Sequence, residues 1–292
     1  MERTAPARLT ATAAAEPTAA ARPQPGAALA TRRAAATAPV PRGAAVVEPA
    51  TRAGAGAGAP DRDAAADPPY EISLTIPPAT VRELGAGGHR LCLMHAVRCD
   101  TADGVPLVWA IGGAYGPATT LTWTASLCGY AATGRNANGS PDGGWDMRPV
   151  ALGQVLDVAD NALTSVNPAS GDPRHVTVRS TAATPQACGA AQRAPDRFGP
   201  ELPAPYCSFP LHRGTFVLLA PMPRVALAFT ALPLVAGTAV RHPPGPTVLV
   251  EVEAGDRVPL AYDIDAGWSS PDARVTSVPL DGLTRALVVP TG

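Results

Sequence analysis

PYCSFPLHRGTFVLLAPMPRVALAFTALPL, Pro205 to Leu234, decides the fold. It holds the densest apolar run in the chain, cut in two by Pro221 and Pro223. Neither half reaches the roughly 10–12 residues at which a buried helix becomes the better reading. Thr215–Ala220 and Arg224–Thr230 are each strand-sized, and the prolines between them predict a tight connection. In the second half Val225, Leu227 and Phe229 alternate with the small residues Ala226, Ala228 and Thr230. Both faces are uncharged, as in a central strand covered on two sides. This stretch is expected to be the spine of an all-β core.

Working outward, Tyr70–Ile76 sets Tyr70, Ile72, Leu74 and Ile76 against Glu71, Ser73 and Thr75, the alternation of a half-buried strand. Thr80–Glu83 has a capping-box pattern and Gly85 a helix stop, which predicts one short helix. Leu91, Leu93, His95 and Val97 share one parity within a strand from His89 to Arg98, and Pro106–Ile111 reads as its hairpin partner. Thr119–Ala132 alternates in strand fashion, and Gly134–Gly144 (GRNANGSPDGG) is the strongest turn cluster in the sequence. Further short strands are expected at Gln154–Val158, His175–Arg179, Thr247–Glu253, Arg257–Ile264, Ala273–Val278 and Arg285–Val288. Their spacing, with turn residues between, is that of a large antiparallel β-sandwich, or of two small ones meeting near Pro185–Pro205.

The 292 residues, 46% hydrophobic and 16% charged, can bury a sizeable core. A formal net charge of −1 argues against nucleic acid as a partner, because phosphate contacts need a clustered basic excess. No apolar run of ~18 residues is present to form a transmembrane helix. Residues 1–68, rich in Ala, Pro and Arg with no aromatic side chain, are expected to be a disordered leader, and 69–292 the all-β domain. The leader lacks the apolar region of a secretory signal, so the default expectation is a cytoplasmic protein.

The cysteine count is five, which leaves at least one thiol without an intrachain partner. Cys188 and Cys207 flank an irregular stretch and are the pair able to form a disulfide, worth about 3 kcal/mol in an oxidising compartment. Cys92, His95 and Cys99 would share a face only on a helix. On the strand read here Cys92 points away and the other two stand about 13 Å apart, so no metal site is expected.

Asp263 and Asp265, two apart in AYDIDAG, would project from one strand face about 6.6–7 Å apart, a spacing that suits a shared cation or the acid and base of an inverting glycosidase. Acidic pairs of this kind also end strands as solvated turn caps. There is no G-x-S-x-G elbow, and the glycine-rich GAGAGA follows no strand, so neither a nucleophile motif nor a cofactor site is evident. Trp109, Tyr115 and Trp123 cluster around one hairpin region, Trp145 follows the polar loop, and Trp268 adjoins the acidic pair. Exposed rings beside loop Asn and Asp would form a platform for sugars or lipid head groups. Buried, they are core anchors.

The outline resembles small β-sandwich lectins and membrane-binding sandwiches of the aegerolysin or actinoporin type, a likeness of fold that carries no site residues over. The expected function is a non-enzymatic binding or interaction module for carbohydrate or a membrane surface, through Trp109, Tyr115, Trp123, Trp145, Trp268, Asp263 and Asp265. The alternatives are a hydrolase using Asp263 and Asp265 or a triad assembled only in space, and a structural protein that self-assembles through sheet edges.

Overall fold

Strands dominate the described residues, and three sheets enclose a main apolar core, an all-β sandwich. The computed structural model describes residues 68–168, 171–198 and 202–291, all within one unit, Arg62–Gly292. The leader assigned to 1–68 falls, apart from Pro68, outside the described residues. The main core takes side chains from Ile72 through to Val288, so the Pro185–Pro205 region does not separate two sandwiches.

The spine is a single 15-residue strand, Phe216–Thr230, and not two strands joined at the prolines. One of its edges pairs antiparallel with Arg90–Cys99. The other pairs first with Val176–Ser180 and then with Thr247–Glu251. Pro221 and Pro223 fall between those two partners, so neither takes a donor from the ladders on that edge. A proline forbids donation, not extension, so the strand passes through. The cost is a register shift. Pro221 sits opposite Val97 and Val225 opposite His95, so Met222, Pro223 and Arg224 bulge outward against Ala96 alone. Beyond the bulge, Val225 to Thr230 are all buried, as the uncharged faces required.

Arg90–Cys99 is buried on both faces. Leu91, Leu93 and Val97 enter the main core, while Cys92, Met94 and Ala96 pack in a second cluster with Leu283 and Leu287 of a short helix, Leu283–Leu287. That helix occupies most of the segment expected to be a strand at Arg285–Val288; only Val288–Pro290 is extended, and it pairs parallel with Arg90–Cys99. Parallel pairing also joins Tyr70–Thr75 to Arg257–Asp263 and Val155–Val158 to Val176–Ser180, so the sandwich is largely but not wholly antiparallel.

Other local readings change. Thr119–Ala132 is two strands in different sheets, Ala118–Trp123 and Leu127–Arg135, and Pro106–Ile111 divides into Val105–Pro106 and Ala110–Gly112. The helix Pro78–Ala86 begins after Pro77 with no side-chain cap. Thr80 lies inside it, and its hydroxyl donates instead to Asp263 Oδ2 at 3.2 Å.

The stretch read as irregular around the two loop cysteines contains two core strands, Gln186–Gln192 and Cys207–Leu211. Cys188 and Cys207 sit on these paired strands, each a free buried thiol, as are the other three cysteines. Cys207 Sγ lies 3.2 Å from the Ala190 N–H and accepts from it. Between them Gly189 has no room for a side chain: a Cβ there would lie 2.1 Å from Cys207 O and 2.7 Å from the Tyr130 ring.

Candidate functional site

Leu127–Arg135 and Pro141–Pro149 form a hairpin whose turn is the glycine- and asparagine-rich loop. Asn136 organises the turn by itself. Its Oδ1 accepts the N–H groups of Asn138 and Ser140, each at 3.0 Å, and its carbonyl accepts from Gly139 at 2.9 Å. Gly139 has φ +98°, a conformation that favours glycine. Arg135 fastens the turn to the sheet, donating through Nε to Gly139 O at 3.0 Å and through Nη2 to Ser208 O at 3.2 Å. Ser140 Oγ accepts the Ala239 N–H at 2.8 Å and so ties the turn to the neighbouring segment.

Between this hairpin and residues 235–238 lies a groove of about 460 Å³. Trp145 stands along it with 54% of its surface exposed, held edge-on by the buried Tyr130 ring at 6.0 Å. Asn136, Asn138, Ser140 and Asp142 supply the polar lining, with Val235 as an apolar neighbour. Asp142 uses one carboxylate oxygen on the Gly143 N–H at 2.8 Å. The site therefore offers an accessible indole beside amide, hydroxyl and carboxylate groups on a turn fixed by its own hydrogen bonds.

The other residues singled out from sequence lie elsewhere. Trp109 is fully buried and donates Nε1–H to Gln192 O at 3.0 Å, and Trp123 is buried in edge contact with it at 5.7 Å. Both are core anchors, which excludes them from an exposed platform. Tyr115 and Trp268 are half-buried and pack on Phe229 at 5.1 and 5.5 Å, Tyr115 donating to His89 O and Trp268 to Pro246 O.

Asp263 and Asp265 do not share a strand face. The strand ends at Asp263, whose Oδ1 accepts the N–H groups of Asp265 at 2.9 Å and Ala266 at 3.1 Å. These two N–H groups, with the Thr80 hydroxyl, hold the Asp263 carboxyl below its ordinary range. A carboxylate committed to capping its own turn is a poor acid or base, so the pair supplies no glycosidase arrangement. Cys92, His95 and Cys99 lie on the expected strand, and among the described residues no group of three or more His, Cys, Asp or Glu could hold a metal ion. No helix among them is long and apolar enough to cross a membrane. Compared with known families, with curated proteins and with solved structures, the chain matches none.

Residues 235–238 were missed from the sequence. Val-Ala-Gly-Thr carries no motif; long-range pairing of Leu107 with Ala239, the backbone bonds of Val108 with Gly237 and Thr238, and the Ala239 N–H to Ser140 Oγ bring it beside the hairpin.

Proposed function

We propose that the protein is a non-enzymatic β-sandwich binding module that takes carbohydrate in the groove beside Trp145. The exposure of this indole on an otherwise polar, pre-formed turn carries the reading. An apolar sugar face stacks on a ring, and its hydroxyls need paired donors and acceptors close by. A membrane surface would call for a broader apolar patch than one Trp and Val235, and several acceptors lining the groove favour hydroxyl groups over acyl chains.

A glycan array, run beside liposomes of neutral and anionic composition, tests it. Trp145→Ala is expected to abolish glycan retention, while Asp263→Asn with Asp265→Asn leaves it intact. Retention on liposomes alone would replace the sugar reading with a lipid one. Turnover of a glycoside or ester by the wild type would make the protein a hydrolase.

A further inference from the structure

A second cleft, of about 310 Å³, opens where the three sheets meet. Its walls are the spine bulge at Pro221–Pro223, the stacked pair Tyr70 and Trp123, with rings 5.5 Å apart and 8° from parallel, and Leu127. His95 forms its floor, only 4% exposed, wedged between Trp109 and Tyr206 at ring distances of 5.1 and 4.7 Å. Its Nδ1 lies 2.9 Å from the Ala96 carbonyl. A carbonyl can only accept, so Nδ1 carries the proton and the neutral ring presents Nε2 as a bare acceptor. Among the described residues nothing donates to that nitrogen.

Two further side chains of the cleft present acceptors beside His95. Gln192, also buried, donates its Nε2 to Thr124 O at 2.8 Å, which leaves Oε1 with no donor among the described residues. Glu253 at the rim has an exposed carboxylate with no cationic partner among them. The lining contains no arginine, so Glu253 bears its one formal charge while His95 is neutral. A cleft with three acceptors, a negative charge and aromatic walls matches a group with three N–H donors and a positive charge.

We propose that this cleft binds a small organic primary amine with an apolar body. The ammonium donates to His95 Nε2, Gln192 Oε1 and the Glu253 carboxylate, and the body packs on Leu127, Met222 and the Tyr70–Trp123 stack. At about 30 Å³ per water molecule, the volume releases roughly ten waters, room enough for an aryl ring on a short chain.

Phenethylamine, phenethyl alcohol and phenylacetate, titrated calorimetrically into the full chain at pH 7.5, keep the body constant and change the head group. The amine should bind about tenfold tighter than the alcohol, as charge-assisted bonds are about twice as strong as neutral ones, and phenylacetate should not bind. Glu253→Gln, a change at an exposed side chain, should weaken the amine severalfold and leave the alcohol unchanged. His95→Phe should remove amine binding; should that variant fail to fold, the Glu253→Gln split decides alone. Trp145→Ala should leave amine affinity as it is, which separates this cleft from the sugar groove. Phenylacetate binding as tightly as the amine, an equal effect of Glu253→Gln on amine and alcohol, or no binding of any probe at about 10 mM would each overturn the proposal.

Discussion

Acidification should destabilise this protein well before its carboxylates titrate, and His95 is the cause. Burial pushes the His95 imidazole down from 6.5 to about 4, only partly opposed by the Ala96 carbonyl. The unfolded chain regains an ordinary histidine. As pH falls through about 6.5 the unfolded state takes up a proton that the folded state refuses until about 4. Stability is therefore greatest above that window and falls across it. A difference of about 2.5 pH units corresponds to roughly 3 kcal/mol, with a slope near 1.4 kcal/mol per unit in mid-window. Carboxyls held low, such as Asp263, and Asp172 at about 2, act below the ordinary carboxylate value and leave the window clear.

Urea unfolding followed by tryptophan fluorescence at pH 7.5, 6.0, 5.0 and 4.5 measures the effect, and Trp109, in edge contact with the His95 ring, reports on the site. His95→Gln removes the titration while keeping a polar side chain. Its absolute stability is immaterial, because subtracting its pH curve from the wild-type curve cancels every other titrating group. The difference should fall by about 2–3 kcal/mol between pH 7.5 and 4.5. Parallel curves would show that His95 titrates normally in the folded protein, and both the burial argument and the assignment of a bare Nε2 would fail with it.

Other outcomes follow from particular contacts. Leu227→Ala and Phe229→Ala, both in the main core, should each cost roughly 2–5 kcal/mol in denaturant unfolding. Arg135, which as a loop residue would be expected to tolerate change, should cost about 1–3 kcal/mol on substitution by alanine, since three carbonyls including Asp103 O lose a charged donor. Gly189→Ala should abolish or severely reduce folded yield, because its Cβ would meet backbone at 2.1 Å. In non-reduced mass spectrometry of the unfolded protein the peptides bearing Cys188 and Cys207 should appear separate and freely alkylated; a linked pair would contradict their placement.

What was legible was the burial pattern, and what was not was the pairing. The alternation of Tyr70–Ile76 and the two uncharged faces of Arg224–Thr230 are local properties, and both survive in the structure. Gln186–Gln192 was illegible for a physical reason. Its alanine, cysteine and glycine have little strand propensity, and it is a strand because Tyr130 and Cys207 press against it from either side. The helix Leu283–Leu287 likewise exists to cover the second face of Arg90–Cys99, a demand no residue within the helix announces. Of the seven proposed binding residues, Trp145 stands out because it follows a turn on an outer strand. Trp109 and Trp123, no different in type, are inward by register.

Among the described residues two ladders carry register shifts, and each lies beside a cleft. Between Ala132 and Gly134 the hairpin bulges, and the groove beside Trp145 begins at Ala132. Between Pro221 and Val225 the spine bulges, and Pro221, Met222 and Pro223 line the cleft above His95. An unbroken ladder sets side chains at regular intervals and leaves no recess, whereas an inserted residue bends the strand and lifts it from its neighbour. In the spine the inserted residues include proline, which removes donors where an opened ladder would otherwise leave them unpaired. Pro221 and Pro223 thus do more than tolerate extension: they let one continuous strand serve two partner strands and hold open the space over a buried histidine.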